Sequence, residues 1–88
     1  MNINIKDLKN KIIYRANYRG TKEMDKLLGS FVRTYIDQLI DDDLPLLCDL
    51  LDHDDENLYK LNQGMKLTIE IKSNKVTELF KNYKYVCE

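Results

Sequence analysis

Residues 24–39 read MDKLLGSFVRTYIDQL and carry the clearest helical period of the sequence. Apolar side chains recur here three and four positions apart, as they do on one face of an α-helix. These positions are Met24, Leu27, Leu28, Phe31, Val32, Tyr35, Ile36 and Leu39. The stretch therefore predicts a long amphipathic helix against which the other elements pack.

Two further amphipathic helices flank this helix in the sequence. The first covers residues 5–18, with a basic flank and an apolar face formed by Ile5, Leu8, Ile12 and Ala16. The third begins at the acidic run 41–43, because carboxylates stabilise the positive N-terminal end of a helix and Pro45 is tolerated in a first turn. Its predicted buried face consists of Leu44, Leu47, Leu50 and Leu51.

The end of the chain contains two shorter helices and an ambiguous stretch. Asp54 or Asp55 is predicted to cap a fourth helix that runs through Leu58, Tyr59 and Leu61 and stops near Gly64. Residues 66–72 alternate in polarity like a strand, but a lone strand has no partner, so residues 65–72 are predicted as linker or irregular structure, with a strand as the alternative. A C-terminal helix is predicted over residues 73–85, with Val76, Leu79, Phe80 and Tyr83 facing inward.

Length and composition fit these elements. Of the 88 residues, 43% are hydrophobic and 33% are charged, while glycine occurs three times and proline once. Few glycines and prolines disfavour a turn-rich β-sandwich or barrel, and a chain of this length has room for one small core. The predicted fold is all-α, a single domain over residues 1–88 built as a compact bundle of about five short helices.

The sequence predicts neither an export signal nor a membrane-insertion signal. Lys6 and Asp7 lie where a signal peptide requires an apolar stretch, and no window approaches the roughly 18 apolar residues of a membrane span. We therefore expect a cytoplasmic protein without membrane insertion. Cys48 and Cys87 are predicted to be reduced thiols, with Cys48 packed in the core and Cys87 exposed.

Opposite charges are segregated along the chain. Residues 1–33 carry eight basic and three acidic residues, a net charge of +5, whereas residues 34–63 carry one basic and nine acidic residues, a net charge of −8. In one interpretation, these segments attract each other loosely across solvent. In the other, the basic first third docks on an acidic partner and long-range attraction raises the encounter rate.

No pattern in the sequence indicates catalytic or metal chemistry. His53 lies among acidic residues without a nearby cysteine, and no motif links it to a nucleophile. Gly20, Gly29 and Gly64 are isolated and match neither the dinucleotide-binding nor the P-loop spacing. We therefore predict that the protein is not an enzyme, has no metal site and binds no cofactor stably.

The most informative polar cluster is Arg19-Gly20-Thr21-Lys22-Glu23, between the first two helices. In a structural interpretation, Gly20 adopts backbone angles closed to other residues and caps the second helix, so that Glu23 takes the third helical position. In a functional interpretation, the corner presents an arginine fork, an approachable backbone and a carboxylate to a partner. Both interpretations remain open on the residues alone.

Residues 14–31 resemble a known family. They read YRANYRGTKEMDKLLGSF, in which R-G-x-x-E precedes an acidic residue and an apolar helix. This pattern is the hallmark of the small FAD assembly factors of succinate dehydrogenase, the SdhE type of bacteria and its mitochondrial counterparts. The resemblance covers roughly residues 5–64 and includes the order of helices and the stretch LDHDDENLY at residues 51–59.

The resemblance implies a binder of the succinate dehydrogenase flavoprotein subunit, and in some bacteria of fumarate reductase. Such a factor promotes covalent attachment of FAD to a histidine of the client, and the linking chemistry belongs to the client. On this basis Arg19, Gly20 and Glu23 carry over as the functional surface. We extend the predicted partner-binding surface to the neighbouring Arg15, Tyr18, Lys22 and Asp25.

Two positions depart from the family pattern, and two other functions stay open. Many relatives have a basic residue or histidine where this chain has Tyr18, so a proton-handling role is not expected at this position, and Leu61 stands where many relatives have tryptophan. The alternatives are a regulatory interaction module, such as an antitoxin-like inhibitor, and a nucleic-acid binder. The latter would use Lys11, Arg15, Arg19 and Lys22, but the acidic middle segment and a pI near 5.8 disfavour it.

Overall fold

Five α-helices follow one another between residues 4 and 84. The computed structural model describes residues 4–84. The helices are α1 (Ile5–Asn17), α2 (Lys22–Tyr35), α3 (Leu44–Leu51), α4 (Asp55–Gln63) and α5 (Lys75–Asn82), and a 3-10 turn at Asp41–Asp43 leads into α3. Residues 4–84 contain no strand, so the predicted all-α bundle of about five short helices is confirmed.

One buried apolar cluster joins all five helices. Phe31 of α2 is fully buried, and its ring centroid lies 5.0 Å from that of Phe80 on α5 in an edge-on arrangement. Helix α1 packs on α2 and α3, while α5 packs on α3 and α4. The buried faces predicted for α1 and α3 are largely confirmed, since Ile12, Ala16 and the four leucines predicted to face inward on α3 are buried. Burying each such large apolar side chain contributes roughly 1.5–3 kcal/mol.

Helix α2 is shorter than the apolar period predicts. It ends at Tyr35, although Ile36 and Leu39 beyond it remain buried. These two residues lie in turns that precede the 3-10 turn and cover the same core. The hydrophobic period therefore predicts correctly which residues are buried, but it does not predict where the helix ends.

The acidic run before α3 forms the 3-10 turn, and its carboxylates do not cap the helix. Asp43 is the N-cap residue of α3, but its side chain makes no capping hydrogen bond. Its Oδ2 instead accepts from Nζ of Lys75 at 3.0 Å, and the Asp43 side chain is 11% exposed. This ion pair ties the start of α3 to the start of α5. Pro45 lies in the first turn of α3, as predicted.

Helix α4 begins and ends as predicted. The side chain of Asp54 accepts from the backbone N of Asn57 at 3.2 Å, and Gly64 ends the helix in the left-handed conformation with a φ of 73°. Residues 65–74 then form neither helix nor strand, so the alternative of a strand is wrong. Thr68 of this segment is bound to α4, because Asn57 Oδ1 accepts from its backbone N and from its Oγ1.

Helix α5 is shorter than the predicted 73–85. Asn74 is its N-cap residue and forms a reciprocal capping box with Thr77, which places the first helical residue at Lys75. The helix ends at Asn82, and residue 85 and Cys87 lie outside the described residues. Within α5 the side chains of Val76, Thr77 and Phe80 are buried, whereas Leu79, like Tyr83 after the helix, is only partly buried.

Candidate functional site

Thr21 caps the N-terminus of α2 at the corner between α1 and α2. Its Oγ1 accepts from the backbone N of Met24 at 3.2 Å, and Thr21 is the N-cap residue of α2. The prediction that Gly20 caps the helix is therefore wrong by one position. Glu23 consequently occupies the second helical position rather than the third, still within the turn where a carboxylate is favoured by the helix dipole.

Gly20 has ordinary backbone angles, and its missing side chain leaves space beside Asp55. Among residues 4–84 only Gly64 has a positive φ, so the predicted special conformation of Gly20 is wrong. A Cβ added at residue 20 would lie 3.2 Å from Oδ2 of Asp55, which is tighter than an ordinary contact. The glycine thus leaves room for a carboxylate of α4 while its own backbone stays exposed.

Arg19 directs its guanidinium into the molecule. Nε donates to Oδ1 of Asp55 at 2.8 Å, Nη1 donates to the carbonyl oxygen of Leu51 at 2.7 Å, and Nη2 donates to the carbonyl oxygen of His53 at 2.6 Å. Its side chain is only 12% exposed. The arginine therefore connects the end of α1 to the loop between α3 and α4, and it does not present the outward fork of the functional interpretation.

Asp25 holds the same turn from the other side. Its Oδ1 accepts from the backbone N of Arg19 at 2.5 Å. Asp25 and Asp55 thus bind the main chain and the side chain of Arg19. We call Arg19, Gly20, Asp25 and Asp55 the corner cluster. Its hydrogen bonds are charge-assisted and partly buried, which is the setting in which such bonds stabilise most.

Three predicted partner-binding residues face solvent beside the corner cluster. Tyr18 is 69% exposed, and its ring centroid lies 4.6 Å from that of Tyr14, which is also exposed. Lys22 and Glu23 are exposed in the first turn of α2. Over the described range 4–84, neither of their charged groups takes part in an ion pair. These side chains are available to a partner.

The basic first third is partly neutralised by the acidic middle segment. Arg15 Nη2 lies 2.5 Å from Oδ1 of Asp52, and Lys9 Nζ lies 3.5 Å from Oδ1 of Asp37. Together with the Arg19–Asp55 pair, these ion pairs connect the basic segment 1–33 to the acidic segment 34–63, as one interpretation of the charge pattern predicts. The Arg15 side chain is 35% exposed and its partner 64%, so this pair contributes only about 0–1 kcal/mol.

An open groove adjoins Glu23 between α2 and α4. It encloses about 320 Å³ and is lined by Glu23, Met24, Leu27, Tyr59, Asn62, Gln63 and Lys84. Tyr59 was not predicted as a site residue, yet its side chain lines this groove and the residue is 49% exposed. Helical spacing could have identified Tyr59 as exposed. Leu58 and Leu61 share the buried face of α4, and Tyr59 projects from a different face of the helix.

The described residues offer neither a metal cluster nor a membrane span. Between residues 4 and 84, no three His, Cys, Asp or Glu side chains converge in a way that could hold a metal ion. No helix in the same range is long and apolar enough to cross a membrane. His53 contributes to the corner through its backbone carbonyl and not through its imidazole.

The comparison with family models identifies the chain. The model described as flavinator of succinate dehydrogenase matches residues 10–84. The chain belongs to this family. No curated protein and no solved structure matches the chain significantly, so the family match carries the identification. The predicted resemblance to the FAD assembly factors is confirmed, and the protein is a flavination assembly factor of succinate dehydrogenase.

The family match also extends the resemblance read from the motifs. That resemblance covers roughly residues 5–64, whereas the match of the flavinator family continues through residue 84 and includes α5. Leu61 is buried in the apolar cluster that joins the five helices. The C-terminal helix is therefore part of the family domain and not an unrelated extension.

Proposed function

We propose that this flavinator docks on the flavoprotein subunit of succinate dehydrogenase through the outer side of the α1–α2 corner. The contact is made by Tyr18, Gly20, Lys22 and Glu23. The observation that carries the proposal is their exposure directly beside the corner cluster, which holds the turn rigid from inside. A preformed surface loses little conformational entropy on binding and is suited to recognition.

Arg19 and Asp25 have a different part in this proposal from the one that the sequence predicts. All three guanidinium nitrogens of Arg19 donate hydrogen bonds to groups of the same chain, and Asp25 accepts from the Arg19 backbone. They act as positioning residues that set the direction of Gly20 and Glu23. Arg15 lies next to this surface and contributes a partly screened positive charge.

The proposed mechanism is differential binding to one client conformation. The factor binds the FAD-loaded, attachment-ready state of the flavoprotein subunit more tightly than other states, which raises its population in proportion to the affinity ratio. A tenfold preference corresponds to about 1.4 kcal/mol. The client supplies the histidine and the flavin-linking chemistry. The factor supplies no catalytic group and binds no cofactor stably, so it is not an enzyme in this scheme.

The proposal includes a second client and a location. The family resemblance supports the fumarate reductase flavoprotein as a further client, and we place the factor in the cytoplasm, where it meets the client before assembly. Pairing of Arg15 and Arg19 with carboxylates leaves less free basic surface than a nucleic-acid binder requires. We therefore propose no nucleic-acid partner.

The experiment uses matched carboxylate variants. Glu23 lies in the first turn of α2, and Glu78 lies in the first turn of α5 and is likewise exposed. Glu23→Ala is expected to weaken binding to the purified flavoprotein subunit at least tenfold and to reduce covalent flavin fluorescence of that subunit, whereas Glu78→Ala leaves both unchanged. Unchanged binding and flavination by Glu23→Ala would contradict the proposed surface.

A further inference from the structure

We infer that the groove between α2 and α4 receives a segment of the client flavoprotein in which an apolar side chain neighbours a basic one. This inference rests on the proposed function and names the client chemistry that a second part of the surface recognises. The groove is continuous with the α1–α2 corner, because Glu23 belongs to both.

The groove offers apolar surface with an aromatic residue beside it. Met24 and Leu27, which line it, are otherwise buried at 5% and 7% exposure, while Tyr59 of α4 is 49% exposed. Tyrosine combines a large apolar face with a polar tip, and such residues dominate the binding energy of many interfaces. An apolar client side chain that enters here gains contact with all three residues.

The uncharged polar residues of the groove are largely engaged within the chain. The Asn62 amide donates to the carbonyl oxygens of Phe80 and Tyr83, and its Oδ1 accepts from Nε2 of Gln63. Asn62 therefore has its donors and its acceptor occupied, and it offers little to a ligand. Charge selectivity in the groove comes from its two charged residues.

These two charged residues have opposite signs. The Glu23 carboxylate lines the groove together with the Lys84 ammonium group. A client segment is complementary when its basic side chain approaches Glu23 and a carbonyl or carboxylate approaches Lys84. Charge complementarity of this kind sets the direction in which a segment lies and excludes the reversed direction.

The client accounts for this groove better than a second copy of the chain does. Stable interfaces involve about 20–30 residues a side, and the seven residues that line the groove do not form such an interface by themselves. Joined to Tyr18, Gly20 and Lys22 through Glu23, the groove becomes one part of a larger surface that a single partner covers.

Affinity measurements on the full chain test the apolar part of the inference. Tyr59→Ala is expected to weaken binding to the purified, FAD-loaded flavoprotein subunit at least tenfold, as measured by calorimetry. The matched control is Ile40→Ala, since Ile40 is 61% exposed but follows the far end of α2. Its affinity should equal that of the wild type. Wild-type affinity in Tyr59→Ala would overturn the inference, and urea unfolding of each variant shows that it is folded.

Cross-linking tests the chemistry of the segment. A benzophenone amino acid at position 59 is expected to capture one peptide of the flavoprotein subunit that contains an apolar residue next to lysine or arginine. The same cross-linker at position 40 should capture no client peptide. Capture at position 59 of a segment without a basic residue would overturn the inference.

Two further measurements separate the client from other occupants. Removal of residues 85–88, which follow Lys84, should leave client affinity unchanged, and a gain in affinity would identify the chain's own end as the occupant. Sedimentation should show a monomer, and a dimer abolished by Tyr59→Ala would assign the groove to a second copy.

If Glu23→Ala weakens binding and Tyr59→Ala does not, the groove inference fails while the proposed function stands. If the wild type does not bind the subunit, the proposed function itself fails.

Discussion

Arg19 and Asp55 join the end of α1 to the start of α4, with Nε of the guanidinium 2.8 Å from Oδ1 of the carboxylate. Two carbonyl oxygens just before α4 accept from the same guanidinium, so one side chain orders the whole α3–α4 connection. The arginine of the R-G-x-x-E pattern therefore points into the molecule. The glutamate of the same pattern is the second residue of α2 and is exposed to solvent.

Removal of the Arg19 side chain should destabilise the fold far more than removal of its neighbour Arg15. Arg19→Ala leaves Asp55 and two carbonyl oxygens without their partner, and we expect a loss of about 2 kcal/mol in the free energy of unfolding. Arg15→Ala breaks a solvent-exposed pair and should cost about 0–1 kcal/mol. Urea unfolding of both variants measures the difference, and equal losses would contradict the internal role of Arg19.

Alanine at position 20 should be destabilising because of Asp55. The added Cβ would lie 3.2 Å from Oδ2 of Asp55, so we expect Gly20→Ala to lower the free energy of unfolding by about 1 kcal/mol. Because the glycine has no positive φ, the cost should shrink in an Asp55→Ala background. A double-mutant cycle measures this coupling. A cost that is identical in both backgrounds would point to the backbone instead.

Replacement of Asn62 should loosen α5. Asn62 is buried, and its amide donates to the carbonyl oxygens of Phe80 at 2.9 Å and Tyr83 at 2.8 Å. Asn62→Leu leaves these acceptors without that donor and should lower the free energy of unfolding by about 2 kcal/mol. Asn82→Leu is the matched control, because Asn82 is exposed and donates only within its own helix. Equal effects of the two substitutions on urea unfolding would contradict this prediction.

Acid should weaken the N-terminal cap of α4. Hydrogen bonds from the side chain and backbone of Asn57 lower the pKa of Asp54 in the folded protein. Since the unfolded value is about 3.9, the contribution of Asp54 to stability is complete above that pH and is lost as the pH falls through the lower, folded pKa. Urea unfolding at a series of acidic pH values should show this loss in the wild type.

The control for the acid prediction is Asp54→Asn. Asparagine caps a helix about as well as aspartate but does not titrate. The variant should therefore lose less stability than the wild type over the same acidic range. An identical pH dependence of the two proteins would show that the Asp54 cap does not contribute to acid sensitivity.

Cys48 should react slowly in the folded protein. It is partly buried against the core cluster, rather than inside it as predicted, and burial raises the pKa of its thiol although Arg15 acts in the opposite direction. Because the thiolate is the reactive form, alkylation near pH 8 should be slower in the native protein than in urea. The measurement uses a Cys87→Ser background, so that only Cys48 reacts. Equal rates in both conditions would contradict the protected position.

Much of the fold could be predicted from local patterns. The spacing of apolar residues predicts which faces of α1, α2 and α3 are buried, and Asp54 and Gly64 mark both ends of α4 correctly. These signals depend on neighbouring residues alone, through helical periodicity, capping and left-handed glycine. The end of α2 could not be predicted in this way. Ile36 and Leu39 lie in turns after the helix, but they are buried just as residues of the helix are, so the apolar pattern continues past the last helical residue.

The candidate site divides along the same line. The sequence by itself determined an all-α bundle, the R-G-x-x-E corner and the family to which the corner belongs, because each is written in residues close together in the chain. Only the tertiary structure decided which side chains of the corner face solvent and which face the interior. Asp55 lies 36 residues beyond Arg19, and their hydrogen bond turns the guanidinium inward while leaving Glu23 exposed. No local pattern encodes that choice, since it depends on how α4 packs beside the end of α1.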